Sequence, residues 1–413
     1  MGMVHVIGAG LAGLAAAVRL TQAGRAVTVH EGAKQAGGRC RTYHDAALDM
    51  VLDNGNHLVL SGNRDALAFV AAIGAADALV GPAEADFPFV DLATGARWSV
   101  RPNAGPLPWW IFAADRRVPG TRALDYLSLA RLLGPGAAEI GGRMACAGPL
   151  YDKLWRPFLL AALNIEPPHA SAALAGAVIR ETLAKGGAAS RPLIAAHGLS
   201  HAFIDPAIRF IEAHGGRVRL DRRVRAVTLA AEHAKRLEFG DESIELGGED
   251  RVVMAAPAPV AAALLPGVSA PQTFCAIVNA HFKMIPPADA PPMIGLINAT
   301  TEWIFAFPDR LSVTISGADR LLETPREALA ATIWSEVCVA SRVEGPMPPW
   351  QVIKERRATF AATPQENARR PQARTAWRNI ALAGDWTATG LPATIEGAIR
   401  SGNTAADLVM RDA

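Results

Sequence analysis

The chain has 413 residues, of which 50% are hydrophobic and 19% charged, so it can form two or three domains with a sizeable core. Its formal charge of +2 is too small to indicate a nucleic-acid partner. Its four cysteines lie far apart and form no C-x-x-C pair, which argues against a zinc site or a disulfide framework. This cysteine usage fits a reducing cytosol, and we expect no metal site.

The sequence contains no recognisable targeting or membrane-spanning segment. No charged region followed by an apolar core marks a signal peptide, and no apolar run approaches the ~20 residues of a membrane-spanning helix. We therefore expect a cytoplasmic protein, and we leave open a peripheral contact with the inner face of the cytoplasmic membrane.

The strongest motif lies between a predicted strand at residues 4–7 and a predicted helix of small residues. It reads Gly8-Ala9-Gly10-Leu11-Ala12-Gly13. In this motif, Gly8 permits a tight turn, Gly10 lets a pyrophosphate approach the backbone, and Gly13 lets the helix pack on the sheet. A strand-helix-strand unit that binds no nucleotide is the alternative.

Two further features of this unit suit a dinucleotide. The helix begins at Leu11 and Ala12, where its free N–H groups and positive end can face phosphates. The second strand leads to Glu31, which can accept hydrogen bonds from ribose hydroxyls.

Two short stretches that follow are candidates for function. In the first, Gly38 can bring the backbone near a phosphate and Arg39 can supply a guanidinium group. A surface turn with solvated arginines is the alternative. In the second, Asp53-Asn54-Gly55-Asn56-His57, an Asn-Gly hairpin turn explains the middle but requires neither Asp53 nor His57.

Residues 101–190 are rich in proline, tryptophan and apolar residues, with helices predicted near 124–133 and 151–163. The pair Trp109-Trp110, followed by Arg116-Arg117, suits a bilayer interface or the mouth of an apolar tunnel. Packing of these tryptophans in a core is the alternative.

The rest of the chain predicts the completion of one sheet and the presence of a second. A helix at 197–216 precedes strands that we expect to extend the nucleotide-binding sheet, at 216–220, 223–227, 235–239, 243–246 and 251–254. Residues 272–316 and 350–359 alternate as strands do, on either side of a helix that Pro325 opens. These later strands predict a mostly antiparallel domain that holds the substrate.

The C-terminal stretch places a second set of ligand-binding groups after a buried strand. The strand ends at Gly384-Asp385, and a helix begins near Thr394-Ile395-Glu396. Asp385 can bind polyol hydroxyls, and the helix start can stabilise negative charge on a reduced ring. A ligand that reaches from Glu31 to this helix must be long, which favours FAD.

These motifs, in this order, resemble those of the superfamily of flavin-dependent amine oxidases and carotenoid desaturases. Within it, the chain most resembles the hydroxysqualene dehydroxylases of bacterial squalene and hopanoid synthesis. The matching stretches are residues 53–58, 154–164, 357–364 and 384–398, with Asn56 standing where that family more often has Gln.

The resemblance implies FAD and the conversion of hydroxysqualene and reduced flavin into squalene and water. It also implies positions along the cofactor. Glu31 would meet the adenosine ribose, the main chain of Val224 the adenine, Asp385 the ribityl chain or a phosphate, and residues 394–396 the pyrimidine edge of the ring. It leaves the electron donor that reduces the flavin unidentified.

An allylic alcohol leaves poorly as hydroxide, so this reaction requires a proton donor. His57 is the first candidate, because an imidazolium can donate near neutral pH. Asp53 is the second if burial raises its pKa, and it could instead hold the His57 ring. Three other functional hypotheses stay open: a carotenoid-type desaturase, an amine oxidase and a non-catalytic FAD-binding scaffold.

The predicted fold is therefore α/β, with a Rossmann-like FAD-binding domain built on a parallel sheet and an α+β substrate domain with a mixed or antiparallel sheet. Residues 1–60, 191–268 and 375–413 are expected to form the FAD-binding domain. Residues 61–190 and 269–374 are expected to supply the helical and sheet segments of the substrate domain.

Overall fold

The computed structural model describes residues 2–240 and 242–411. Its strands are β1 (Val4–Ile7), β2 (Val27–His30), β3 (Thr42–Asp45), β4 (Met50–Asp53), β5 (Val59–Leu60), β6 (Leu79–Val80), β7 (Phe87–Asp91), β8 (Arg97–Val100), β9 (Pro192–Ala195), β10 (Arg217–Arg219), β11 (Ala226–Ala230), β12 (His233–Glu238), β13 (Ser243–Glu245), β14 (Arg251–Met254), β15 (Phe274–Lys283), β16 (Met293–Ile297), β17 (Trp303–Phe307), β18 (Arg310–Ile315), β19 (Trp350–Phe360) and β20 (Ile380–Leu382).

Helices of three kinds connect these strands. The α-helices are α1 (Leu11–Gln22), α2 (Arg64–Ala72), α3 (Arg156–Leu163), α4 (Ala172–Glu181), α5 (Asp205–Ala213), α6 (Ala258–Leu264), α7 (Arg326–Ser341), α8 (Pro364–Ala368) and α9 (Ile395–Arg411). The 3₁₀ segments include Gly38–Cys40, Trp109–Phe112 and Ala123–Leu133, and π turns at Tyr151–Trp155 and Ser200–Ile204 lead into α3 and α5.

The first sheet is parallel and has the strand order β10-β2-β1-β14-β20. Strands β1, β2 and β20 are buried along their whole length, as expected when helices cover both faces of a parallel sheet. Because the carboxyl ends of parallel strands share one edge, Gly8 after β1, Glu31 after β2 and Asp385 after β20 lie along the same edge. The predicted α/β nucleotide-binding sheet is confirmed, but of the five strands expected to extend it only β10 and β14 belong to it. The expectation was wrong for β11, β12 and β13, which pair with one another in a separate antiparallel sheet.

The last helix, α9, lies directly on the first helix, α1. A Cβ atom at Gly402 would come within 2.2 Å of the Ala12 carbonyl oxygen, so the two backbones approach as closely as they can. Arg19 clamps the far ends of the helices through two hydrogen bonds to Asp407, at 2.5 and 2.9 Å. This contact brings the C-terminal part of the chain to the glycine motif.

The second large sheet has the order β19-β15-β18-β17-β16-β7-β8. Its pairs are antiparallel except for β16 with β7, which is parallel, so the sheet is mixed. Helix α7 covers one face through residues such as Ile333 and Val337. The alternate residues of β15, which include Asn279, face the other way, towards residues 53–57. The domain boundaries given above stay a prediction.

Local structure differs from the sequence-based expectation at two places that bear on function. Residues 123–133 form a 3₁₀ helix, because the buried side chains there recur every three residues. Strand β11 begins at Ala226, so Val224 lies in the loop before it. The main-chain N–H groups of Asp221 and Arg222 donate to the carbonyl oxygens of Ala33 and Glu31, which holds this loop against the end of β2.

Candidate active site

The glycine motif contains glycines of two kinds. Gly8 has a φ of +108°, and a Cβ atom at Gly13 would lie 1.9 Å from the Gly8 carbonyl oxygen, so the chain itself requires both glycines. Gly10 has ordinary extended dihedral angles, φ −76° and ψ 176°, and a Cβ atom there would meet no atom within 4 Å. The fold does not require glycine at position 10, which therefore suits the close approach of a ligand.

Main-chain N–H groups from two loops surround Gly10. The N–H of Gly37 donates to the Ala9 carbonyl at 2.8 Å, and a Cβ atom at Gly38 would lie 3.7 Å from the Gly10 Cα. In the described part of the chain, no acceptor is bonded to the N–H groups of Ala12, Gly38 and Arg39, while the pairing of Gly10 with Gly37 turns the Leu11 N–H towards the Gly37 carbonyl. N–H groups at the start of a helix are suited to bind phosphate.

Glu31 holds the glycine motif and also the segment that contains Val224. Its Oε2 accepts a hydrogen bond from the Ala9 N–H at 2.7 Å, and its Oε1 accepts one from the Ala33 N–H at 2.8 Å. Its carbonyl accepts from the N–H of Arg222, two residues before the buried Val224. Each carboxylate oxygen keeps a second lone pair for a ribose hydroxyl.

Arg39 joins three segments that are far apart in the sequence. Its Nη2 lies 2.7 Å from Asp385 Oδ1, and its Nη1 donates to the Ala358 carbonyl at 2.6 Å. Asp385 is buried, and its charge is the main reason that the pKa of Arg39 is raised. The 43% exposure of the Arg39 side chain leaves a cation beside the N–H groups around Gly10.

Arg370 holds the main chain of the loop that contains Asp385. No sequence motif marks this arginine. It is buried and donates to the main-chain carbonyls of Asp385 and Thr387, to Thr389 Oγ1 at 2.9 Å and to Asn367 Oδ1 at 3.0 Å. Burial lowers its pKa to about 10, so it is still a cation at neutral pH. The N–H of Gly384 donates to Ser401 Oγ in α9 at 2.8 Å, which ties this loop to the final helix.

The start of α9 offers main-chain groups, whereas the Glu396 side chain points elsewhere. Thr394 caps the helix, because its Oγ1 accepts from the Gly397 N–H at 3.0 Å. The N–H groups of Ile395 and Glu396 bond no acceptor among the described residues. The buried Glu396 carboxylate accepts from the N–H groups of residues 65 and 66, at 3.1 and 2.8 Å, and from Arg400 at 3.0 Å. Only the main chain of Glu396 is therefore available to a cofactor.

His57 is half-buried and lies close enough to Arg39 for the Arg39 charge to act on its ring. The pKa of His57 is lowered to about 4, mainly by burial and secondly by the positive charge of Arg39. In the structure the imidazole is therefore neutral at pH 7, whereas the sequence-based hypothesis required an imidazolium.

A chain of polar side chains connects the residue before His57 to the second sheet. Asn56 Nδ2 donates to Thr314 Oγ1 at 3.1 Å, and Thr314 Oγ1 donates to Asn279 Oδ1 at 2.8 Å. Asn56 Oδ1 is buried without a hydrogen-bond donor among the described residues. A buried acceptor of this kind can receive a hydrogen bond from a substrate hydroxyl.

Asp53 does not hold the His57 ring. Its Oδ1 accepts hydrogen bonds from Thr42 Oγ1 at 2.5 Å and from the Leu199 N–H at 2.8 Å. The second bond connects β4 to the residue just before the π turn at Ser200–Ile204. Burial raises its pKa, as a proton donor requires, while the two hydrogen bonds oppose that shift. The geometry favours an anchoring role for Asp53.

Glu302 is a further carboxyl group, which no sequence motif marks. It is half-buried just before β17, and its Oε2 accepts from the Ser316 N–H at 2.8 Å. In the pairing of β17 with β18, Trp303 lies opposite Thr314, so Glu302 is the neighbour of the residue that faces Thr314. Burial raises the pKa of Glu302 to about 7, which keeps a transferable proton on it near neutral pH.

Comparison with known proteins agrees with this geometry. A family model described as flavin containing amine oxidoreductase matches residues 11–410. The hydroxysqualene dehydroxylase of Rhodopseudomonas palustris is 55% identical over 98% of both chains, and that of Zymomonas mobilis is 46% identical over 99% of both. A solved structure of a putrescine oxidase double mutant superposes with a TM-score of 0.71 at 17% identity over 99% of both chains, which shows a shared fold.

The contrast between Gly10 and the other motif glycines gives a testable prediction. We expect Gly10→Ala to change the free energy of unfolding of the FAD-free protein by no more than about 0.5 kcal/mol, because an added methyl group meets nothing in the chain. We expect the same variant to bind FAD at least about tenfold more weakly, because the methyl group occupies the space of the phosphates.

Urea unfolding and FAD titration measure these two quantities. Gly142→Ala is the matched control, since a Cβ atom there also meets no atom within 4 Å and the residue lies outside the motif. Unchanged FAD affinity in Gly10→Ala would show that no phosphate approaches this position.

Proposed function

Because the chain belongs to the family of flavin-containing amine oxidoreductases, we propose that it is an FAD-dependent enzyme that removes the hydroxyl group of hydroxysqualene and releases squalene. The observation that carries this proposal is the identity of 46–55% over nearly the full length of hydroxysqualene dehydroxylases. The identity extends over the predicted substrate domain as well as over the cofactor-binding motifs.

The residues of the candidate site fit FAD along its length. The N–H groups of Ala12, Gly38 and Arg39, around the accessible face of Gly10, would hold the pyrophosphate. Glu31 would hold the adenosine ribose, the loop at Val224 would meet the adenine, and Asp385 would accept a ribityl hydroxyl. The N–H groups of Ile395 and Glu396, at the capped end of α9, would stabilise negative charge on the ring.

Reduced FAD supplies hydride to the allylic carbon when bound. The protein must supply what remains, which is a proton for the departing oxygen, so that the C–O bond breaks with water as the leaving group. The buried acceptor Asn56 Oδ1 would hold the substrate hydroxyl in the cluster formed with Thr314 and Asn279.

Two titratable groups are candidates to supply the proton. His57 lies next to Asn56, but with a pKa of about 4 roughly one molecule in a thousand is protonated at pH 7. Glu302, with a pKa of about 7, is about half protonated at that pH. We therefore propose Glu302 as a second candidate donor, while His57 orients the hydroxyl or donates from its minor protonated form.

We further propose that the enzyme works as a peripheral protein at the inner face of the cytoplasmic membrane, in contact with the polyprenyl substrate. Within residues 2–240 and 242–411, the structure contains no helix with the length and apolarity required to cross a bilayer. A thirty-carbon hydrocarbon partitions into lipid, so a surface contact would give the enzyme access to it. An external donor of electrons, which the sequence does not identify, must reduce the flavin between turnovers.

The proposed reaction predicts single-turnover behaviour that the other readings do not share. We expect the FAD-loaded enzyme, reduced anaerobically, to be reoxidised when mixed with hydroxysqualene in detergent, with one squalene formed per flavin. Flavin absorbance and gas chromatography measure these two changes. Reduction of the oxidised enzyme's flavin by a more saturated polyprenoid would instead support a desaturase. The absence of both changes would leave an amine oxidase or a flavin-binding scaffold.

The pH dependence of the reoxidation rate distinguishes the two proton donors. If Glu302 donates, the rate should be constant below pH 6 and fall about tenfold per pH unit above 7, because its carboxyl group loses its proton there. If His57 donates, the rate should already fall about tenfold per unit between pH 5 and 7, above its pKa of about 4.

Glu302→Gln and His57→Gln test the assignment directly. We expect substitution of the true donor to reduce the reoxidation rate by about 10²-fold or more. The fall in rate with rising pH that this donor causes should also disappear. Gln keeps the size and the hydrogen-bonding capacity of the Glu302 side chain, so a rate unchanged within twofold in Glu302→Gln would exclude that residue.

A further inference from the structure

Residues 107–133 carry a concentration of exposed large apolar side chains. Thirteen such side chains occur in the described part of the chain, and six of them lie in this one stretch. We call these six the apolar surface: Leu107, Trp109, Phe112, Leu124, Leu127 and Leu133. The first five side chains are 56–74% exposed. Polar residues at these positions would make the protein more soluble.

The apolar surface belongs to one structural unit. The 3₁₀ segment Trp109–Phe112 packs on the 3₁₀ helix Ala123–Leu133 through an edge-on contact of Trp110 with Tyr126, with ring centroids 5.0 Å apart. The Tyr126 hydroxyl accepts a hydrogen bond from the Val118 N–H at 2.9 Å, which fixes the loop between the two segments. The exposed side chains are therefore carried on two segments that pack together through Trp110 and the buried Tyr126.

The 3₁₀ helix presents its residues in three rows, because each turn contains three residues. One row is buried, at Tyr126, Leu129 and Leu132. A second row is exposed and apolar, at Leu124, Leu127 and Leu133, and the third row is polar, at Arg122, Asp125, Ser128 and Arg131. A helix that only covered a core would need the first row alone. The second row is available to another apolar environment.

Positive charge surrounds this apolar row. Residues 101–143 contain six arginines and three acidic residues, whereas the whole chain has a formal charge of only +2. In the described part of the chain, no carboxylate pairs with the side chains of Arg116, Arg122 or Arg131. Asp125 is occupied in capping the helix, where it accepts from the Arg122 N–H at 2.8 Å. Three guanidinium groups are thus available to an anionic partner.

We propose that the apolar surface inserts into the headgroup region of an anionic phospholipid bilayer, while Arg116, Arg122 and Arg131 bind lipid phosphates. Tryptophan, leucine and arginine on one amphipathic element are typical of proteins that lie in a membrane interface. An anionic bilayer offers both the apolar and the phosphate environment, whereas a second copy of this chain would bring the same arginines together. The membrane proposal rests on the proposed function in one respect only: access to a hydrocarbon substrate is the reason we give for membrane binding.

Vesicle flotation of the FAD-loaded, full-length protein tests this proposal. We expect binding to vesicles of phosphatidylcholine with about 30% phosphatidylglycerol, and weaker binding to phosphatidylcholine alone. Leu124→Ser with Leu127→Ser should weaken binding to the anionic vesicles at least about tenfold, because it removes the centre of the apolar row. Arg122→Gln with Arg131→Gln should remove the preference for anionic lipid.

Ile285→Ser is the matched control, because Ile285 is 83% exposed and lies outside the apolar surface. This variant should bind vesicles as the unmodified protein does. Equal binding by the Leu124/Leu127 variant, or no binding by the unmodified protein, would overturn the proposal. So would a dimer in analytical ultracentrifugation that the leucine substitutions dissociate, if vesicle binding is absent.

Single-turnover activity with substrate in detergent keeps the two proposals separable. We expect the leucine and arginine variants to retain it, because none of these residues lies in the candidate active site. Vesicle binding without any turnover would contradict the proposed function alone, and turnover without vesicle binding would contradict the membrane proposal alone.

Discussion

The contact of Arg39 with Asp385 and with the Ala358 carbonyl is the interaction on which the site depends. It joins the loop after β2, the end of β19 and the loop after β20, which belong to three segments of the chain. Each of these segments carries part of the FAD site or its lining. Without the guanidinium group, the buried Asp385 carboxylate would lose its ion-pair partner and the loops would lose their common contact.

The same cation sets the chemistry next to it. Arg39 lies close enough to His57 to oppose a second positive charge, and this adds to the effect of burial on the His57 pKa. A site that concentrates positive charge to hold phosphates therefore disfavours an imidazolium as proton donor. At Glu302, burial raises the pKa and outweighs the positive charges of Arg320 and Arg156, which lower it.

The features that the sequence could predict are those that depend on near neighbours. The glycine motif, Glu31, the helix that Pro325 opens and the start of α9 follow from turn, cap and periodicity rules that act within a few residues. The parallel sheet followed from these elements, because strand-helix-strand units have a fixed handedness and leave their loops at one edge.

The features that could not be predicted depend on distant contacts. Arg39 and Asp385 are 346 residues apart, and the partners of Glu396 at positions 65 and 66 are about as distant. Sequence reasoning therefore assigned Glu396 to the cofactor, although its carboxylate caps α2. The buried position of Arg370 and the raised pKa of Glu302 likewise arise only when separate elements pack together.

The central claim, that Arg39 and Asp385 act as a unit to assemble the FAD site, is tested most directly by a double-mutant cycle. The FAD dissociation constant is measured for the unmodified protein, for Arg39→Met, for Asp385→Asn and for the double variant. We expect a coupling free energy of about 1–3 kcal/mol, because each single substitution leaves the other group without its partner. Additive effects of the two substitutions, within about 0.3 kcal/mol, would contradict the account.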